Sequence, residues 1–235
     1  MEISRRGSAI ATHRLNPYYH PLMKEQTGTG IADDSSVRRW LDINRLVSLS
    51  DGIFAFAMTL LVVTIDIPGG VKGLQGEELH RYLLSQWRPL LVFLQSFLLL
   101  SIFWMTHHRQ FGYYRRTDHR HTWISLGTLL FVVLMPYTTD LLGDTSGDWM
   151  VQMIFAVNML ALGLLFALNW HYATAGHRLV DPGLSRAIIE RGRRRGWVAP
   201  LCSVGAGLLA FVAPHQASWF YLLIPVALSF KPFRT

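Results

Sequence analysis

One cysteine, Cys202, stands in 235 residues, and it lies inside an apolar block. An intramolecular disulfide is therefore excluded, and a zinc site built on paired cysteines is equally unsupported. Charge is scarce: Asp, Glu, Lys and Arg make up 16% of the chain, against about 25% in an ordinary soluble domain. No HExxH pair and no nucleophile–base constellation is visible, so the sequence reads as a non-enzyme that calls for no cofactor. The first 36 residues lack an apolar core of signal-peptide length and mix Gly, Ser, Thr, Pro and scattered charge. They read as a poorly ordered tail.

Apolar residues are abundant, at 51% of the chain, with a mean hydropathy of +0.25. They are also clustered, in blocks that reach the roughly 17–25 residues needed to span hydrocarbon. Six segments stand out: Arg45–Pro68, with a helical start near Ser35 and Ser36; about Gly76 to Phe111; His121–Leu142; Trp149–Thr174; Gly196–Ala213; and Ala217–Phe230. The last is the shortest and is interrupted by Pro225. The expected architecture is an all-α polytopic membrane protein with six transmembrane helices over residues 37–230. Tails occupy residues 1–36 and 231–235.

Arginine placement sets the orientation. Arg109, Arg115, Arg116 and Arg120 lie between the second and third segments. Arg178, Arg186, Arg191, Arg193, Arg194 and Arg195 lie between the fourth and fifth. The alternate connections carry only Lys72, Arg81 and Arg88. The positive-inside rule then makes both termini cytoplasmic, in a multi-pass protein of the cell membrane. The formal net charge of +7 is spread over loops and fits anionic lipid headgroups rather than a nucleic acid, for which no module is present.

The first segment has a stripe at helical spacing: Gly52, Phe56, Thr59, Val63 and Asp66, with Leu60 beside it. Small and hydroxyl residues are common where helices pack, so the stripe alone fits either a packing face or a pore wall. Arg45, Ser50 and Asp51 open the same helix as a polar clasp, with His107 or His108 as partners on another helix end. Asp51 as a cation-binding or proton-sensing group is the alternative, because a charge inside a membrane is costly unless paired. The histidines His107, His108, His119 and His121 read as interfacial hydrogen-bonding groups rather than metal ligands. Asn158 and Asn169 share a face of the fourth segment and can join helices. Trp104, Trp123, Trp149 and Trp219 sit near segment ends, as interfacial belts require.

Three stretches together resemble the transmembrane protein 175 family. "RLVSLSD" (Arg45 to Asp51) is similar to the Arg-x-x-x-Phe-Ser-Asp signature opening that family's first helix, with Leu49 in place of the usual Phe. "WMTHHRQF" (Trp104 to Phe111) resembles the end of its second helix, and "LMPYTTDLLG" (Leu134 to Gly143) the end of its third. The resemblance covers roughly Arg38 to Phe230. It implies a homotetramer that conducts potassium passively through a pore lined by four first helices. The carbonyl-lined Thr-Val-Gly-Tyr-Gly loop of ordinary potassium channels is absent. Carried over, Phe56, Leu60 and Val63 match the apolar constriction, Thr59 a hydroxyl layer, and Asp66 falls at the outer mouth. Two other classes stay open: a proton- or cation-coupled transporter, and a non-conducting membrane interaction protein. No internal repeat favours the transporter.

Overall fold

The computed structural model describes residues 34–65, 73–145 and 147–229. Helix α1 runs Asp34–Leu60 and tightens into a 3-10 turn over Leu61–Thr64. It is followed by α2 (Glu77–Ser85), α3 (Trp87–Tyr113), α4 (His119–Asp144) and α5 (Trp149–Thr174). Then come α6 (Arg186–Gly196), α7 (Val198–Ala210) and α8 (Pro214–Ala217), a 3-10 stretch at Ser218–Leu222, and α9 (Leu223–Ser229). Side-chain caps start three of these. The Asp118 carboxylate accepts from His121 N at 2.8 Å, Asp148 from Met150 N at 2.7 Å, and Ser185 Oγ from Ile188 N at 3.4 Å. Each satisfies a backbone donor that the helix leaves unpaired.

Among the described residues, four stretches are long and apolar enough to cross a membrane: Ile43–Thr64, Glu77–Tyr113, His119–Gly143 and Trp149–His177. They correspond to the first four apolar segments of the sequence. The fifth segment becomes α7, only 13 residues long. The sixth is broken into α8, the 3-10 stretch and α9. Pro225 contributes to that break, since it offers no N–H and its ring crowds the carbonyl four residues back, at Tyr221.

The core lies between α1, α3, α4, α5 and α7 and includes Phe54, Leu61, Leu100, Val132, Met135, Phe155 and Met159. Close approach is needed between α5 and α7, where a Cβ on Gly163 would meet the Pro200 ring at 2.8 Å. Buried polar side chains pair across helices. Thr139 Oγ1 of α4 donates to Ser96 Oγ of α3 at 2.9 Å. From α5, Asn169 Nδ2 donates to Ser125 Oγ at 3.3 Å, and Asn158 Nδ2 makes a long bond of 3.5 Å to Thr138 Oγ1. Both asparagines therefore join α5 to α4.

The helix ends segregate. Tyr114 and Val180 form an antiparallel backbone bridge, flanked by Arg115 N donating to Leu179 O at 2.8 Å. Arg116 Nε donates to Arg178 O at 2.7 Å, and Arg115 pairs with Asp181 at 3.6 Å. The two arginine-rich connections thus meet at one end of the bundle. At the other end, Arg88 at the start of α3 lies 3.4 Å from His215 Nδ1, and His215 also packs beside Gly147 of the α4–α5 turn. From His215 the chain returns toward the arginine-rich end, where Ile224 and Leu228 share a cleft with Arg195 and Gly196.

Candidate ion pathway and its helix clasp

Helix α1 has two opposed faces. Leu46, Ser50, Phe54, Ala57 and Leu61 recur at steps of four, four, three and four, and all are buried in the core of the chain. On the opposite side Gly52, Phe56, Thr59 and Val63 are exposed. Phe54 is 0% exposed, whereas Phe56, two residues on, is 60% exposed and Val63 is 72% exposed. Leu60 lies at the margin and is half-buried. Among the described residues no other helix covers the stripe. A Cβ on Gly52 would have no heavy atom within 4 Å.

Thr59 sits at the middle of this open face. Its hydroxyl donates to the Phe56 carbonyl at 2.7 Å. That bond uses the proton and leaves the oxygen lone pairs available, so the group can act as an acceptor or ligand. One turn further, Thr64 Oγ1 donates to Leu61 O at 2.7 Å, where the helix has tightened to 3-10 geometry. Asp66 lies outside the described residues.

The polar opening of α1 is distributed among different partners. Ser50 is fully buried, and its Oγ donates to Leu46 O of its own helix at 2.8 Å. Asp51 Oδ1 accepts from Trp104 Nε1 of α3 at 3.0 Å. The hydrogen-bond partner of Asp51 is thus an indole, rather than His107 or His108. His108 stacks on Trp104, with ring centroids 5.8 Å apart. His107 is buried among Phe54, Phe111 and Phe166, its ring 4.3 Å from that of Phe111, and neither ring nitrogen has a hydrogen-bond partner. Arg45 is exposed at the arginine-rich end, beside Asp118 and His119. Trp104 was readable as a belt residue only; its spacing to His108 on one helix face was the available signal of a second role.

At the same end the Asp118 carboxylate caps α4 and accepts from Tyr172 Oη of α5 at 2.7 Å. Partial burial works against its ionisation. The His121 N–H, the Tyr172 hydroxyl and the nearby Arg178 outweigh that and hold Asp118 below the ordinary carboxylate range.

Long apolar helices, polar pairs confined to helix contacts and basic loops gathered at one end define a polytopic helical membrane protein. Residues 45–136 match the family described as the endosomal/lysosomal potassium channel TMEM175. The chain is 34% identical over 143 residues to a potassium channel of Streptomyces collinus, covering 59% of this chain and 68% of that one. It is 30% identical over 181 residues to a potassium channel of Chamaesiphon minutus, covering 76% and 87%. The crystal structure of a lysosomal potassium-selective channel TMEM175 homolog from Chamaesiphon minutus aligns with a TM-score of 0.71 at 26% identity, over 82% of this chain and 99% of that one. The chain belongs to the TMEM175 family, a family of channels and not of enzymes.

Proposed function

We propose that this protein is a passive, potassium-preferring cation channel of the cell membrane, built as a homotetramer around an axis lined by α1. The observation that carries this reading is the uncovered Gly52–Phe56–Thr59–Val63 face, diametrically opposite the buried face of the same helix. A single such stripe makes a conduit only when copies surround an axis. Phe56, Leu60 and Val63 would form apolar rings that set pore width and wetting, and the Thr59 oxygens would offer partial coordination to a partly dehydrated ion. Potassium dehydrates more readily than sodium, which favours it at such a layer. Asp66 would stand at the outer mouth. Both named relatives being potassium channels supports the same permeant.

Six passes are part of this proposal. The chain runs from Arg195 to His215 through α7 and returns to the arginine-rich end by Leu228, which supports two further crossings beyond the four long helices. The arginine-rich end is assigned to the cytoplasm by the positive-inside rule, with both tails on that side and the basic loops against anionic headgroups. Residues 37–230 form the channel domain, with tails 1–36 and 231–235. Arg45, Ser50 and Asp51 hold α1 in place rather than bind the permeant ion.

Reconstitution in planar bilayers tests the reading. A current that reverses at the potassium Nernst potential without any coupled gradient, from a protein of tetrameric mass in mild detergent, is expected. Flux that requires a second ion gradient would assign it to the transporters. Monomers incapable of flux would leave an interaction protein.

A further inference from the structure

A cavity of about 230 Å³ lies where α3, α5 and α6 meet at the arginine-rich end. Arg191 and Arg195, four residues apart, share one face of α6, and Arg109 lines the same cavity from α3. No acidic side chain lines it, and among the described residues none pairs with these three arginines. Arg194 and Arg115, by contrast, lie outside it and have Glu190 and Asp181. Burial, followed by the Arg109 and Arg191 charges, pushes the Arg195 guanidinium down to about 10. It stays protonated at neutral pH, so three like charges face one space without a counter-ion.

Three of the neutral polar side chains around the cavity are already engaged. Thr106 Oγ1 donates to Ile102 O at 2.8 Å, and Gln110 Nε2 donates to Phe166 O at 3.2 Å. Trp170 Nε1 donates to Ile189 O at 3.0 Å, which fastens α6 to α5. Gly192 permits that seat, since any Cβ there would run into the Trp170 indole. The guanidinium groups and the Tyr113 hydroxyl are therefore the donors left to a ligand, in a cavity that Phe166 and Trp170 also line.

We propose that this cavity binds a phosphate group, carried by an anionic lipid headgroup or free in solution. Guanidinium forks match phosphate oxygens two at a time, and three of them neutralise the charge of one phosphate with donors to spare. An anion there also relieves the mutual repulsion of Arg109, Arg191 and Arg195. The site is separate from the α1 stripe and does not depend on conduction.

The test uses the purified full-length chain in neutral detergent with two probes, dioctanoyl phosphatidic acid and inorganic phosphate. Binding is read by thermophoresis, and backbone protection over residues 106–113 and 186–196 by hydrogen exchange. At least one probe should bind saturably and slow exchange in both segments. Arg109→Gln combined with Arg195→Gln should weaken binding at least tenfold, while Arg186→Gln, outside the cavity, leaves it unchanged. Saturable binding of the lipid alone assigns the phosphate to a headgroup; binding of both probes makes free phosphate sufficient. The absence of saturable binding by either probe overturns the proposal. So does equal weakening by Arg186→Gln, or binding that leaves 186–196 unprotected. The exchange readout on the unmodified chain stands even if the double variant misfolds. A silent channel leaves this result untouched, and lost binding leaves the conduction reading intact.

Discussion

Trp104 Nε1 donates to Asp51 Oδ1 across 3.0 Å, and this bond ties α3 to the helix bearing the open stripe. The bond is exposed within the chain, so removing the carboxylate should cost about 0.5–1.5 kcal/mol, the net worth of one hydrogen bond. Asp51→Ala and Trp104→Phe should each lower thermal stability in detergent, and the double variant should lose less than the sum, because both delete one bond. Additive losses in that cycle would separate the two residues. Ion preference should be unchanged in whatever protein assembles; altered selectivity in a well-assembled Asp51→Ala channel would reassign Asp51 to ion binding.

Phe54 and Phe56 differ by two positions and occupy opposite environments. Truncating Phe54 opens a cavity in the core cluster that also holds Leu100, Val132 and Met135, whereas truncating Phe56 removes an exposed ring. Phe54→Ala should therefore cost at least ~1 kcal/mol more than Phe56→Ala in thermal or denaturant unfolding. Phe56→Ala should raise single-channel conductance instead. Equal stability losses with unchanged conductance would return the stripe to a packing role.

Thr59→Val preserves shape and deletes the oxygen. Assembly and stability should barely change, because the lost bond is to the same helix and exposed. The potassium-over-sodium permeability ratio, from bi-ionic reversal potentials, should fall. A ratio equal to wild type would remove Thr59 from the selectivity layer.

Asp118 links stability to acidity. Its folded value is depressed relative to about 3.9 in an unfolded chain. Its contribution is thus complete above about pH 4 and is lost as pH falls through the folded value. Asp118→Ala should cost ~0.5–2 kcal/mol at pH 7 through loss of the cap. Asp118→Asn keeps a capping oxygen, so it should cost less and flatten the acid limb of melting temperature against pH.

Orientation can be read with single cysteines in a Cys202→Ala background. Thr145→Cys and Ala187→Cys place thiols at exposed positions on opposite ends of the bundle. In intact cells an impermeant maleimide should label position 145 and not position 187. Labelling of both from outside would contradict the proposed topology.

Much of the helical layout was legible because hydrophobic runs and caps coincide. Trp149–Thr174 was delimited from the sequence as an apolar block, and α5 has those same limits. The last two segments were harder. Apolar content persists through residues 198–229; the interruption at Pro225 was legible, whereas the 3-10 stretch at Ser218–Leu222, which also shortens the regular helix, leaves no mark in composition. The α1 stripe could be written from spacing alone, yet which face met the core required the partners Phe54 and Leu61 find in other helices. The partner of Asp51 was missed because an indole donor carries no motif. Arg109, Arg191 and Arg195 read as topology signals in one dimension. Their convergence depends on how α6 folds back onto α5, a relation between residues about 80 apart that no local pattern encodes.

The backbone pairing of Tyr114 with Val180 has a mechanical consequence. Two hairpins that would otherwise tilt independently are coupled stiffly at one end, while Asn158 and Asn169 pin their inner helices along their length. Helices α3 to α6 consequently have the degrees of freedom of one block. Against that block α1 rests on apolar contact and the Trp104–Asp51 bond, so rolling or sliding of α1 disturbs fewer directional bonds than any bending within the block. Rearrangement of the chain is thereby easiest at α1, whose Gly52–Phe56–Thr59–Val63 face meets no other helix among the described residues.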